Sequence, residues 1–143
     1  MVTKEIKYNS AEYAKELELR TEILRKPLGK KLADMDTYGE EYQLHFGIFN
    51  EDQLIACIVV KPIVEGVRVK MRQMAVAVSA QGQGVGKKLM QDTEALLKQR
   101  GYKQIEMSAR KTAIGFYEKL GYKPVGGMYL ELGIEHIAMQ KTI

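Results

Sequence analysis

The chain is poor in cysteine and proline and has no long apolar run, and each shortage excludes a class of protein. It has 143 residues and one cysteine, Cys57, so no internal disulfide can form and a reducing cytoplasm is the expected setting. Only three prolines, with 28% charged and 45% hydrophobic residues, argue against disorder. No segment approaches the ~20 apolar residues of a membrane span, and no signal-peptide core opens the chain. We expect one cytoplasmic domain over residues 1–143, with no membrane partner.

The chain also lacks a concentrated charge of either sign. The net charge is +4, and its densest basic stretches are RKPLGKK, RVKMR and GKKLMQ. None carries the interleaved aromatic residues on which single-stranded nucleic acids stack. A polyanionic small molecule explains the charge as well as nucleic acid does, so we expect no nucleic-acid partner. A steep salt dependence of binding to DNA or RNA would favour the alternative.

The apolar pattern predicts a mixed α/β domain. KEIKY reads as an edge strand, Ser10 as the cap of a helix over residues 11–26 that Pro27 stops, and GKKLADM as a helical turn. Two further helices are expected, one from the glycine loop to Arg100 and one in TAIGFYEKL. The remaining strands are predicted in YQLHFGIFN, LIACIVVKPIV, VRVKMRQMAVAV, KQIEMSA, VGGMYLEL and EHIAMQKTI.

One predicted strand changes phase along its length. Its apolar residues are odd-numbered up to Met71 and even-numbered from Met74 onward. One extra residue, a β-bulge, produces such a flip in a pattern of period two. A strand end that is buried on both faces is the alternative, because Ala75 and Ala77 are apolar as well.

The segment QGQGVGKKLM, residues 81–90, follows this strand and opens a helix. Free backbone N–H groups converge at a helix N-terminus, the helix dipole favours an anion there, and glycines allow a phosphate to approach the backbone. Lys87 and Lys88 add positive charge in the first turn. The pattern is neither a Walker loop nor a dinucleotide fingerprint. An anion site is predicted, and a glycine-rich turn with solvated lysines is the alternative.

Two motifs resemble those of the GCN5-related N-acetyltransferases. MAVAVSAQGQGVGKKLM is similar to the family's pyrophosphate motif, with Gln81, Gly84 and Gly86 at its marked positions. AIGFYEKLGY is similar to the second signature, matched at Ala113, Tyr117, Gly121 and Tyr122, and LRTEILRKPLG resembles the first helix of a branch of uncharacterised acyltransferases. The resemblance implies a mostly antiparallel sheet of six or seven strands with a bulged central strand, flanked by about four helices.

The resemblance also implies acetyl-CoA as cosubstrate, with no metal. The amides of residues 82–87 would hold the pyrophosphate, and the pantetheine arm would pair with the backbone at Val76 and Val78. Arg110 stands where many relatives carry asparagine, and it could bind a phosphate or a substrate carboxylate. The implied cofactor residues are Met74, Val76, Val78, Gln81, Gly82, Gln83, Gly84, Val85, Gly86, Lys87, Arg110, Phe116 and Tyr117.

For catalysis, the resemblance implies direct transfer of the acetyl group to an amine, which a base must first deprotonate. Tyr117 is the candidate acid, with core packing as its alternative. Glu106, on the polar face of its strand, and His136, because a histidine can relay a proton, are the candidate bases. A structural role for His136 is the alternative.

The acceptor site is expected against the first helix. Arg20 lies on its apolar face with Glu16 one turn back, and Arg20, Arg25 and His136 are the candidate acceptor-binding residues. A small-molecule amine or a protein amine is the expected acceptor, and a homodimer is possible. A non-catalytic acyl-CoA sensor and an acyltransferase that uses other acyl-CoAs are the alternative functions.

Overall fold

The apolar runs of the sequence form seven strands of one sheet in the computed structural model, which describes residues 1–143. The strands are β1 (Val2–Glu5), β2 (Leu44–Asn50), β3 (Gln53–Val64), β4 (Arg68–Val76), β5 (Gln104–Arg110), β6 (Lys123–Glu131) and β7 (Ile134–Thr142). Their spatial order is β1-β2-β3-β4-β5-β7-β6. Every neighbouring pair is antiparallel except β4 and β5, which run parallel. The predicted mixed sheet is confirmed.

Four α-helices flank the sheet, as predicted. They are α1 (Ala11–Arg20), α2 (Asp34–Thr37), α3 (Val85–Gln99) and α4 (Ile114–Lys119). Ser10 caps α1, since its hydroxyl accepts a hydrogen bond from the Tyr13 N–H at 3.1 Å. No helix is long and apolar enough to cross a membrane.

Two helix boundaries differ from the sequence prediction. After α1 the chain continues as a π-turn (Thr21–Arg25) and a 3₁₀ turn (Lys26–Leu28). Pro27 therefore lies inside a turn, in a first-turn position where its missing N–H costs no intrahelical bond. The helical turn expected in GKKLADM is wrong for most of that segment, because residues 29–33 are not helical and α2 begins at Asp34.

Apolar side chains from the two faces of the sheet form two cores. Twenty buried residues, including Ile58, Met71 and Leu89, make the larger core under α3. Six more, among them Cys57 and Tyr13, make a smaller core under α1. Cys57 is fully buried, as expected for a small apolar side chain, and burial raises the pKa of its thiol.

The predicted bulge in β4 is confirmed. Cys57 of β3 pairs with Ala75, whereas Val59, two residues on, pairs with Arg72, so β4 has one extra residue there. Gln73 lies in this stretch at φ +53°, a conformation that non-glycine residues rarely adopt. Beyond Met71, β4 has no further pairs with β5. The two strands diverge from that point, and a cleft opens between them.

Candidate active site

The cleft between the diverging ends of β4 and β5 has a volume of about 720 Å³. Its walls come from β4, β5, α4 and the β6–β7 hairpin, with the π-turn and α2 at one end. Met74, Val76, Phe116 and Tyr117 lie on its apolar wall. A long flexible ligand can therefore lie against strand backbone that no neighbouring strand has used.

The glycine loop before α3 offers the free backbone donors that an anion requires. None of the N–H groups of residues 82–87 donates a hydrogen bond to another group of the chain. Gly82 and Gly84 have φ values of +75° and +78°, and a Cβ added at either would meet nothing within 4 Å. The loop is therefore an open cradle of six consecutive donors at the positive end of a 15-residue helix.

Gly86 lies where the loop approaches the cleft wall. A Cβ at this position would come within 3.3 Å of the Met74 side chain and 3.5 Å of the Phe116 ring. The Gln81 side chain is tied to β4, because its amide donates to the Val76 carbonyl at 3.0 Å. Lys88 is paired with Asp92 at 2.8 Å, and Lys87 makes no ion pair.

Val78 does not occupy the position that the sequence predicted. The strand ends at Val76, and Val78 begins a 3₁₀ turn, with 74% of its surface exposed. The chain turns away from the sheet here in order to enter the glycine loop. Extended strand backbone therefore reaches the cleft only as far as Val76, whose carbonyl accepts the Gln81 amide, and does not include Val78.

Tyr117 packs against the larger core and also faces the cleft. Its position therefore allows both of the roles considered above, core packing and contact with a ligand. Its hydroxyl lies 3.5 Å from the Met74 sulfur, a weak acceptor. Burial raises the pKa of Tyr117 to about 12, against the lowering effect of the Arg110 charge. The phenol is thus protonated at neutral pH. The Arg110 guanidinium makes no hydrogen bond or ion pair in the chain and lines the cleft.

Four polar residues, hereafter the cleft cluster, meet at the other side of the cleft: Ser108, Tyr129, Glu131 and His136. His136 Nδ1 lies 2.7 Å from the Ile134 carbonyl, and Nε2 lies 3.4 Å from a Glu131 carboxylate oxygen. That carboxylate oxygen is also 3.4 Å from the Ser108 hydroxyl, which in turn bonds the Tyr129 hydroxyl. The Tyr129 ring stacks on His136 with its centroid 6.2 Å away.

Glu131 and Tyr129 were not predicted as site residues. The sequence does carry one signal for them. Tyr129 and Glu131 are two residues apart, and residues at that spacing in a strand share a face. Tyr129 pairs with His136 across β6 and β7, so it and Glu131 both lie beside that histidine. Glu106, predicted as a base, does not line the cleft, and its carboxylate lies 3.5 Å from the Arg68 guanidinium. Glu106 is paired with Lys70 on β4 and with Gln140 on β7, so it lies in the part of β5 that is paired on both sides and not where the strands diverge.

Arg20 also lies elsewhere than predicted. The sequence placed it in the acceptor cleft, whereas its side chain is fully buried and does not line the cavity. Both ends of its guanidinium bond Glu40, at 2.8 Å each, and one end also bonds Glu16 at 2.9 Å. Direct acceptor binding by Arg20 is therefore corrected to a structural role. Arg25 does line the cleft, although it is already paired with Asp36 at 2.7 Å.

Arg20 belongs to a buried network of six residues: Tyr13, Glu16, Arg20, Glu40, His45 and Arg72. Glu40 is its centre and accepts hydrogen bonds from Tyr13 at 2.6 Å and from Arg72 at 2.5 Å, besides those of Arg20. Burial favours the neutral acid, but the bonds from Arg20 and Tyr13 outweigh it and lower the pKa of Glu40. Arg72 directly precedes the bulge residue Gln73, so the network anchors the bulged strand.

The surroundings of His45 within this network favour its charged form. Its Nδ1 lies 3.1 Å from the Glu16 carboxylate and its Nε2 lies 3.0 Å from the Glu40 carbonyl, so both nitrogens face acceptors. Burial lowers the pKa of His45, but the bond and charge of Glu16 outweigh it and raise the pKa overall. Glu16, Glu40 and His45 are spaced as metal ligands could be. The Arg20 guanidinium already bridges the two carboxylates, however, and supplies the positive charge there.

Comparisons with known proteins agree with this geometry. A family model for the acetyltransferase (GNAT) domain matches residues 9–143. The chain is 29% identical over 132 residues to YitI of Bacillus subtilis, an uncharacterised N-acetyltransferase, covering 88% of this chain and 89% of YitI.

Two solved structures share the fold. Escherichia coli ElaA superposes with a TM-score of 0.84 at 22% identity, covering 98% of each chain. An aminoglycoside 6'-N-acetyltransferase in complex with coenzyme A superposes with a TM-score of 0.78 at 19% identity, covering 99% of this chain and 97% of the other.

Proposed function

This chain belongs to the GCN5-related N-acetyltransferase family and is an acyltransferase, and from that premise we propose that it moves an acetyl group directly from acetyl-CoA to a primary amine. The observation that carries the proposal is the row of six unbonded N–H groups at residues 82–87, next to a cleft between splayed strands. The single cysteine is buried and the chain needs no disulfide, which supports a cytoplasmic setting.

The residues present fit coenzyme A. The open loop would hold the pyrophosphate, because Gly82 and Gly84 leave the space free and the helix dipole favours a dianion. The apolar wall of Met74, Val76 and Phe116 suits an uncharged pantetheine arm. A structural relative was crystallised with coenzyme A, which supports the same use of the fold here.

Acetyl-CoA supplies a thioester, whose carbonyl carbon reacts only with an unprotonated amine. A free alkyl amine has a pKa near ~10, so a group of the protein must accept its proton. Formation of the C–N bond and cleavage of the C–S bond then leave one proton to be removed from nitrogen and one to be given to sulfur.

Tyr117 is the proposed acid. Its hydroxyl faces the cleft, and its pKa of about 12 keeps the phenol protonated until a strong base is present. As the C–S bond breaks and negative charge develops on sulfur, the hydroxyl donates a hydrogen bond to the departing thiolate and then its proton. The nearby Arg110 charge favours the phenolate that remains, because it lowers the pKa of Tyr117.

His136 is the proposed base. Its Nδ1 is held by the Ile134 carbonyl at 2.7 Å, so the Nδ1–H tautomer is favoured and Nε2 keeps its lone pair. Nε2 points toward Glu131 in the cleft. A proton taken up at Nε2 would be stabilised by that carboxylate.

The test is release of free thiol from acetyl-CoA in the presence of a panel of amines, with acylated product identified by mass spectrometry. We expect amine-dependent thiol release and acetylation at nitrogen. Coenzyme A binding with no thiol release from any amine would instead support a non-catalytic acyl-CoA sensor. Faster release from longer acyl-CoAs would identify a different acyl donor.

The cofactor site is tested separately with a matched pair of glycine substitutions. Gly84→Glu and Gly66→Glu both place a side chain at a positive φ, +78° and +75°, and neither Cβ meets another atom. Backbone strain is therefore similar in the two variants, whereas only Gly84→Glu puts a carboxylate in the loop. We expect calorimetry to show at least a tenfold loss of coenzyme A affinity for Gly84→Glu alone, which is about 1.4 kcal/mol.

A further inference from the structure

The cleft cluster contains a carboxylate without a close partner. The Glu131 carboxylate lies 3.4 Å from His136 Nε2 and 3.4 Å from the Ser108 hydroxyl, both longer than a good hydrogen bond, and its side chain is 52% exposed. His136 Nδ1 is held 2.7 Å from the Ile134 carbonyl, so Nε2 is the nitrogen that faces this carboxylate. A ligand ammonium within reach of the carboxylate would give it a charged hydrogen bond that the chain does not supply.

The rest of the cleft repels additional positive charge. Four basic residues line it, of which Arg25 and Arg72 are paired with Asp36 and Glu40, whereas Lys70 and Arg110 make no ion pair. The Asp36 carboxylate is already bound by Arg25 at 2.7 Å. Glu131 is therefore the single carboxylate that a ligand's ammonium group can reach in the cleft without displacing a protein cation.

Apolar side chains also line the cleft that contains this carboxylate. Ile23, Leu24 and Met35 line the end formed by the π-turn and α2, and Leu132 follows Glu131. Met35 is 82% exposed and Leu132 is 47% exposed, so both present apolar surface to an incoming ligand. Contact between these side chains and an apolar ligand removes apolar surface from water, which favours binding.

We propose that the acceptor has one ammonium group on a largely apolar, uncharged body, and that Glu131 binds this ammonium beside His136. This inference rests on the proposed function and identifies the acceptor class for the same site. Glu131 holds the ammonium, and His136 Nε2 accepts one of its protons as the amine becomes a nucleophile. Polyamines and aminoglycosides are excluded as good acceptors, because their further ammonium groups would meet the unpaired charges of Lys70 and Arg110.

The first experiment compares amines with the wild-type protein at saturating acetyl-CoA. The probes are 2-phenylethylamine, with one ammonium on an apolar body, and spermidine and kanamycin, which carry several. We expect kcat/KM for 2-phenylethylamine to exceed that of either polycation at least tenfold. A polycation that reacts faster than the monoamine would overturn the assignment of the acceptor class.

The second experiment uses a matched pair of carboxylates on the β6–β7 hairpin. Glu131 and Glu135 are equally exposed, at 52%, but Glu135 is paired with Lys111 and does not line the cleft. We expect Glu131→Gln to raise the KM for 2-phenylethylamine about tenfold or more, the effect of losing a charged hydrogen bond. The variant should change kcat less than KM, and Glu135→Gln should change neither.

A binding measurement separates the two proposals. Calorimetric titration of 2-phenylethylamine into protein saturated with coenzyme A, which has no acetyl group, reports amine binding without any reaction. Weaker binding by Glu131→Gln than by Glu135→Gln supports the ammonium site even if no amine is acetylated, in which case the proposed function alone fails. Equal binding by both variants, or no binding to wild type, overturns the ammonium site even if acetylation is observed.

Discussion

The buried network under α1 and the cleft cluster on the β6–β7 hairpin both place a histidine against a glutamate, and they differ in what surrounds that pair. In the buried network, both nitrogens of His45 have acceptors and Glu40 receives hydrogen bonds from three side chains. In the cleft cluster, one histidine nitrogen faces a half-exposed carboxylate at 3.4 Å, beyond the length of a good hydrogen bond. Each charged side chain of the first cluster has an oppositely charged partner within the protein, whereas the carboxylate of the second can still bind a ligand.

We infer from this difference that similar residue types serve structure in the buried network and chemistry in the cleft. The buried network ties α1 and the 34–42 segment to Arg72, next to the bulge that opens the cleft. Removing one member from such a network leaves an opposite charge buried without a partner. In the cleft cluster the Glu131 side chain is 52% exposed, so its removal should change function more than stability.

The largest effect is expected from Glu40→Ala, which leaves Arg20 and Arg72 without their shared carboxylate. We expect a loss of about 3–5 kcal/mol in the free energy of unfolding, the usual result of breaking a buried ion pair. Urea denaturation followed by circular dichroism measures it. Glu41→Ala is the matched control, since Glu41 is the neighbouring residue and is exposed. A loss below about 1 kcal/mol for Glu40→Ala would contradict the distinction between the two clusters.

Tyr117→Phe tests the chemistry at the cleft wall. We expect turnover to fall about 10²-fold, because the substitution removes the proposed acid and keeps the ring that packs on the core. Coenzyme A affinity, measured by calorimetry, should stay unchanged. Tyr122→Phe is a suitable comparison, since that hydroxyl bonds Glu94 at 2.8 Å and does not line the cleft. Wild-type turnover in Tyr117→Phe would leave this tyrosine with a packing role only.

The raised pKa of His45 predicts how stability depends on pH. Its folded pKa is raised above the unfolded value near 6.5, so its contribution is fully present below about pH 6.5. That contribution is lost as pH rises through the folded pKa, by about 1.4 kcal/mol for each unit of difference between the two states. The free energy of unfolding of wild type minus that of His45→Gln should therefore decrease from pH 6 to pH 9. A difference that is constant over this range would mean that His45 is neutral.

The smallest effects are expected at exposed carboxylates. Glu22 pairs with Lys26 at 3.3 Å, with side chains that are 58% and 67% exposed. Glu22→Gln should change the free energy of unfolding by less than about 0.5 kcal/mol, because solvent screens such pairs. Glu131→Gln should be similarly mild in urea denaturation despite its effect on amine binding. A loss of several kcal/mol in Glu131→Gln would show that the cleft cluster is structural after all.

The sequence predicted those features whose cause lies in a few consecutive residues. The phase change between Met71 and Met74 indicated the bulge, and the glycine spacing indicated the loop before α3. Helix α1 followed from its cap and apolar face, although its last turn widens into a π-turn. In each case local pattern and backbone chemistry were sufficient.

The partners of buried charges could not be predicted in the same way. Arg20 and Glu16 are one helical turn apart, but Glu40, the centre of the network, lies 20 residues beyond Arg20 in a segment without strong periodicity. The sequence therefore predicted Arg20 in a cleft, whereas its charge is paired with Glu16 and Glu40 in the protein interior. Glu131 was missed because its proximity to His136 depends on the register of a hairpin with a bulge between Val125 and Tyr129.

The short parallel seam between β4 and β5 has a mechanical consequence. Only four residue pairs, from Arg68–Gln104 to Met71–Met107, join the β1–β4 half of the sheet to the β5–β7 half. Val76, at the mouth of the cleft, is five residues beyond the last pair, a lever arm of roughly 16 Å at about 3.3 Å per residue. A rotation of about 5° around the seam would move the mouth by roughly 1.4 Å over that arm. A ligand bound between β4 and β5 would limit this rotation. Amide hydrogens of residues 104–107 should therefore exchange more slowly when the cleft is filled.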